Sequence, residues 1–88
     1  MIKIVKLEIA GMHKLTLCFS DGRSGVWNGY PLLASRPTVL TMPLLQSAEF
    51  NRAFIEAGAL AWPNGLELAP WTLYQEMDEN GLLTKAAA

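Results

Sequence analysis

Asp21-Gly22 is the pair of residues that most constrains what this chain can fold into. Before it, the run HKLTLCFS alternates, with Leu15, Leu17 and Phe19 turned one way and Lys14, Thr16, Cys18 and Ser20 the other, the period of a half-buried strand. Asp-Gly is a strong hairpin signal because the turn needs positive φ, which glycine adopts without a Cβ clash, so SGVWNGY is expected to return antiparallel. Upstream, IKIVKLEI is β-branched and partly alternating. Its pattern places Val5, Leu7 and Ile9 on one face and Ile2, Ile4, Lys6 and Glu8 on the other. The first half reads as a three-stranded antiparallel meander.

Pro31, Pro37 and Pro43 then remove backbone donors at three points, which limits regular structure to about one turn at Pro31-Leu32-Leu33-Ala34 and makes the rest a crossing loop. Ser47 suits a helix cap and Glu49 its first turn, with Phe50, Phe54, Ala53 and Ala57 at helical spacing, so a helix is expected from 47 until Gly58 ends it. Ala59 to Trp62 fits a short strand, Pro63-Asn64-Gly65 a tight turn and Leu66-Glu67-Leu68 the returning strand. Pro70 suits the first position of a last helix through Trp71, Leu73, Tyr74 and Met77, stopped by Asp78-Glu79-Asn80-Gly81. The expected fold is α+β: an antiparallel β-meander followed by a helix, a short β-hairpin and a C-terminal helix. One domain is expected over residues 1–78, with 79–88 as a flexible tail.

With 88 residues the chain makes one small domain, and only 17% of them are charged against a typical share of about 25%, which favours self-association or a protein partner. Seven basic and eight acidic residues without a basic block lack the footprint of a nucleic-acid binder, so no nucleic acid is expected for this chain alone. No apolar run reaches the roughly 20 residues of a membrane span, and Lys3, Lys6 and Glu8 interrupt any signal-peptide core. Cys18 is the single cysteine, expected as a reduced thiol on a sheet face or in the core. A soluble, cytoplasmic protein follows as the expectation.

No constellation for catalysis stands out. His13, the only histidine, has no nucleophile or orienting carboxylate implied by spacing, and one His and one Cys give no metal-ligand pattern. The glycines sit in turns rather than in a phosphate-binding cluster, so neither a metal nor a cofactor is expected. Among the carboxylates Asp21 has a turn to explain it and Glu49 a helix start, which leaves Glu67. Trp27, Trp62 and Trp71 with Tyr30 and Tyr74 are many large aromatics for so small a core. Trp62 and Tyr74 are expected to fasten the last helix to its hairpin. Trp27, Tyr30 and Trp71 are the candidate partner-binding residues, since tryptophan is enriched at interface hot spots. Two readings stay open: a non-enzymatic interaction or regulatory module, acting as a homo-oligomer or on another protein, or a small-molecule binder or enzyme with a pocket between sheet and crossing loop, using Tyr30 and Glu67.

The strand pair ending in Asp21-Gly22, the stretch Tyr30-Pro31-Leu32-Leu33, the helix centred on Phe50 and above all Trp62-Pro63-Asn64-Gly65 with Leu68, Pro70, Leu73 and Tyr74 resemble the family known as domain of unknown function 2442. The similarity spans nearly residues 2–76. It implies a small bacterial α+β domain, in some members fused to a helix-turn-helix domain, with toxin–antitoxin association as the expected context. Asn28 and Glu67 stand where that family commonly carries aspartate, so no shared catalytic carboxylate is carried over to position 28. The DNA-binding role of a fused helix-turn-helix domain is not carried over either.

Overall fold

In the computed structural model, which describes residues 1–85, the alternating half of the chain forms β1 (Ile4–Gly11), β2 (Lys14–Phe19) and β3 (Arg23–Asn28). The register sets Leu15 opposite Trp27 and Leu17 opposite Gly25, and Leu15, Leu17, Phe19 and Trp27 are all buried. In the loop Ser20-Asp21-Gly22, Gly22 takes φ +89° and the Asp21 carboxylate accepts the Arg23 backbone N–H at 3.0 Å. The faces of β1 differ from expectation. Its pairing with β2 shifts between Ile4 and Lys6, so Ile4 opposite Phe19 shares the core face with Leu7 opposite Leu17 and Ile9 opposite Leu15. A bulge spends one extra residue and so reverses the alternation that sequence parity assumes.

The second half makes a separate three-stranded sheet of β4 (Phe54–Glu56), β5 (Ala59–Ala61) and β6 (Glu67–Leu68), in that order. The helix expected over 47–57 is a correction: only α2 (Ser47–Phe50) is helical, with Gln46 at its cap position and no side-chain capping bond, and Phe54 is a strand residue opposite Ala61. Ala57 at φ +50° and Gly58 at φ +85° reverse the chain between paired Glu56 and Ala59. Two successive positive φ values are the signature of a tight hairpin turn, here without the usual Asn-Gly or Asp-Gly signal. The Pro63-Asn64-Gly65 turn forms as read, with the Asn64 carboxamide accepting the Leu66 N–H at 3.0 Å.

Along the chain, α1 (Tyr30–Ser35) and a 3₁₀ turn Met42–Leu45 follow β3, and α3 (Pro70–Glu79) follows β6. α3 begins with Pro70, whose missing N–H costs nothing in a first turn, and buries Leu73 and Met77 four residues apart. The expected tail is in part a strand: Leu83 is buried, and β7 (Thr84–Lys85) pairs with β3 to extend the larger sheet to the order β1-β2-β3-β7. Gly25 makes this possible, because a Cβ there would overlap the Leu82 carbonyl oxygen. The remainder of that tail, 86–88, lies outside the described residues.

Phe50, fully buried, joins the two halves. Its ring lies 6.3 Å from Trp27 in a stacked arrangement and 5.7 Å from Trp62, while its carbonyl accepts the Trp62 indole N–H at 2.9 Å. Burying one such side chain is worth about 1.5–3 kcal/mol, and the indole bond removes a donor that would otherwise be stranded in the core.

The Ala57 turn generates a prediction. An alanine in the left-handed region costs roughly 1 kcal/mol or more, whereas asparagine tolerates it. Ala57→Asn should therefore stabilise the fold by about 0.5–1 kcal/mol, read as a raised urea midpoint with unchanged slope. An equal or lower midpoint would mean that this turn is not the one described.

Candidate binding cleft

The crossing loop is held by two threonines rather than by regular structure. Thr41 Oγ1 donates to the Arg36 carbonyl at 2.6 Å and accepts the Thr38 N–H at 2.8 Å. Thr38 Oγ1 in turn accepts the N–H groups of Leu40 and Thr41 at 3.2 and 3.1 Å. From the other side the Asn64 carboxamide donates to the Leu40 carbonyl at 2.8 Å, tying the loop to the turn before β6. Side chains with local backbone partners replace the ladder that the prolines forbid.

This loop forms one wall of a cleft of about 490 Å³. Leu32 and Leu33 of α1 and Val39 and Leu40 of the loop face Leu66 and Leu68 on the opposite side, with Thr72 of α3 beside them. Leu66 and Leu68 alternate with Glu67, so the strand period presents two leucines to the cleft and leaves Glu67 exposed and outside its lining. Arg36 is the one charged residue in the lining, and its side chain makes no ion pair or hydrogen bond among the described residues. The hydroxyls of Thr38 and Thr41 are spent within the loop. Volume and aliphatic lining both fall within the range of small-ligand sites.

A cleft bounded by the crossing loop is what the second functional reading anticipated, but the polar residues chosen for it lie elsewhere. Tyr30, at the start of α1, sits edge-on to His13 with ring centroids 5.3 Å apart, and neither Tyr30 nor Glu67 lines the cleft. Arg36, Val39 and Thr72 were not singled out from the sequence. Only their placement by the proline-bounded loop and the Pro70 helix start brings them together.

The other candidates have structural roles. Trp27, expected at an interface, is 1% exposed and stacked on Phe50, a correction that follows from Leu15 and Trp27 sharing a pair on the core face. Its indole nitrogen is buried without a hydrogen-bond partner among the described residues, a cost that the aromatic packing offsets. Trp62 fastens its hairpin to α2 through its indole N–H. Tyr74 fastens α3 to the meander: it packs edge-on against Phe19 at 5.1 Å, accepts from Arg23 Nη1 at 2.9 Å and donates to the Asp21 carboxylate at 2.6 Å. Arg23 continues to Asp78 of α3 at 2.8 Å. Each polar group in that series has a partner within it. His13, buried, hydrogen-bonds through Nε2 to the Leu44 carbonyl at 3.1 Å and forms no ion pair among the described residues. No three His, Cys, Asp or Glu side chains converge among the described residues, and no described helix is long and apolar enough to cross a membrane.

No family model, curated protein or solved structure matches this chain. The resemblance drawn from Asp21-Gly22, Tyr30-Pro31-Leu32-Leu33, Phe50 and Trp62-Pro63-Asn64-Gly65 with its followers therefore rests on those residues alone.

Two measurements check these placements. The Tyr74 hydroxyl, then the Arg23 backbone N–H, hold the Asp21 carboxyl below its ordinary value of 3.8. A folded pKa below the unfolded one gives stability that is complete above the ordinary aspartate range and is lost as pH falls through 3.8 and below. Asp21→Asn should then lose less stability than the wild type between pH 6 and pH 3, and an identical loss would contradict the Tyr74 contact. Trp71 is 55% exposed and stacked on Tyr74 at 5.7 Å. Trp71→Ala should change folding stability by about 1 kcal/mol or less, against the 3–5 of a core tryptophan; thermal melts distinguish the two.

Proposed function

We propose that this domain is a non-enzymatic binding module and that its cleft takes an aliphatic chain ending in a carboxylate. The observation that carries this reading is the lining: six aliphatic side chains with a single guanidinium among them that has no ion-pair partner among the described residues. An apolar chain gains free energy in proportion to the surface it removes from water there. Its carboxylate would take the bidentate geometry that a guanidinium offers, which fixes the orientation of the chain. The loop needs no rearrangement to receive a ligand, because the Thr38–Thr41 bonds and the Asn64 bond already hold it. A free amphiphile and the apolar C-terminus of a partner protein offer the same chemistry, and the second keeps the protein-partner expectation drawn from composition.

The test is an NMR titration of the labelled protein with decanoate, decanol, and a short peptide ending in Leu-Leu with a free or an amidated C-terminus. Saturable shifts at Leu40, Leu66 and Thr72 are expected, with the carboxylate form favoured by roughly tenfold, the worth of one charge-assisted hydrogen bond. Arg36→Gln should erase that preference while leaving decanol binding unchanged. Whether decanoate or the free-carboxylate peptide saturates at lower concentration separates the two sources. Absence of saturable shifts with all four probes would refute the cleft as a binding site.

A further inference from the structure

β1 is the end strand of the larger sheet: at its start the Ile4 N–H donates to the Gly58 carbonyl at 2.8 Å and β4 packs beside it, and beyond Ile4 no strand is hydrogen-bonded to its outer edge among the described residues. Val5 and Ile9 are 59% and 53% exposed on it. A long edge strand with exposed apolar side chains is a pairing template that soluble folds ordinarily shield. Here the only departures from regular pairing are the shifts at Ile4/Lys6 and Ile9/Gly11, which bracket a straight central stretch, Lys6-Leu7-Glu8-Ile9.

We infer that this stretch is self-complementary and that two copies of the chain join through it, antiparallel, about a twofold axis at Leu7, to make one continuous sheet. The register follows by elimination. A shift that sets Lys6 opposite Leu7 of the second copy would put a residue from one face against a residue from the other, which the pleat forbids. Pairing centred on Lys6 sets ammonium against ammonium, and pairing centred on Glu8 sets carboxylate against carboxylate. Like charges directly opposite are destabilising. Pairing centred on Leu7 sets each Lys6 opposite the Glu8 of the other copy, on the solvent face where these two side chains already form an ion pair at 3.0 Å within one chain. The same register sets Leu7 against Leu7 and carries the exposed Ile9 of each copy to the end of the paired stretch, where the other copy's strand bulges at Val5. Extension beyond this stretch stops where the Ile4 N–H is already occupied. A second copy is the occupant because the strand's own charge order, Lys6 then Glu8, is complementary to itself in reverse. The site is separate from the cleft, whose walls are α1, the crossing loop, β6 and α3, and the inference does not rest on the function proposed for it.

Sedimentation velocity over a protein concentration series tests the inference on the full chain, with circular dichroism confirming that each variant is folded. The wild type is expected to show a concentration-dependent monomer–dimer equilibrium. Lys6→Glu alone and Glu8→Lys alone each create two like-charge pairs across the axis and should weaken the dimer by roughly tenfold or more. An equimolar mixture of these two variants regains complementary pairs and should associate again as a heterodimer, and the double variant K6E/E8K should dimerise like the wild type. A wild type that stays monomeric throughout, single variants that dimerise as well as the wild type, or a mixture that fails to associate when each variant alone is monomeric would overturn it.

Discussion

The contact on which the rest of this structure depends is made by Phe50. The smaller sheet could not stand alone: it has strands of two or three residues, and a sheet of that size needs a hydrophobic face packed against something else. Phe50 supplies it by inserting one ring between Trp27 of the meander and Trp62, the residue after β5, with its carbonyl bound to the Trp62 indole. His13 packs on the same ring at 5.0 Å. The aromatic surplus of this chain is thus largely the joint between its two sheets, which is why two of its three tryptophans are unavailable to a partner.

The cleft is a consequence of that joint. With α2 held in the core by Phe50, the stretch between α1 and the 3₁₀ turn, interrupted by Pro37, forms no helix or strand to fill the space between α1 and β6. The loop instead closes on itself through Thr38 and Thr41 and is pinned by Asn64. Its aliphatic side chains and those of Leu66 and Leu68 face each other across a gap rather than packing together. An apolar cleft left open in so small a domain forfeits burial that a tighter loop could have gained, and a bound aliphatic chain would recover it.

Local patterning and backbone chemistry made much of the fold legible. The meander follows from alternation around Asp21-Gly22, the hairpin around Gly65 from turn chemistry and α3 from Pro70, since each signal lies within a few residues of the structure that it specifies. The segment 47–57 reads as a helix because Phe50, Ala53, Phe54 and Ala57 match a helical stripe, while the competing hairpin turns on Ala57, a residue that carries no turn signal. The faces of β1 and the pairing of β7 depend on a bulge and on the space above Gly25, both set by tertiary packing. Of the site, its place beside the crossing loop was legible and its residues were not. Arg36, Val39 and Thr72 acquire meaning only when α1, the loop and α3 converge.

Native-state hydrogen exchange tests most directly whether Phe50 couples the two sheets into one cooperative unit. The slowest amides of β2 and β5 are expected to exchange with the same opening free energy, and Phe50→Leu to lower both by an equal amount. A small sheet that opens at far lower free energy than the meander, with Phe50→Leu altering one and sparing the other, would contradict it.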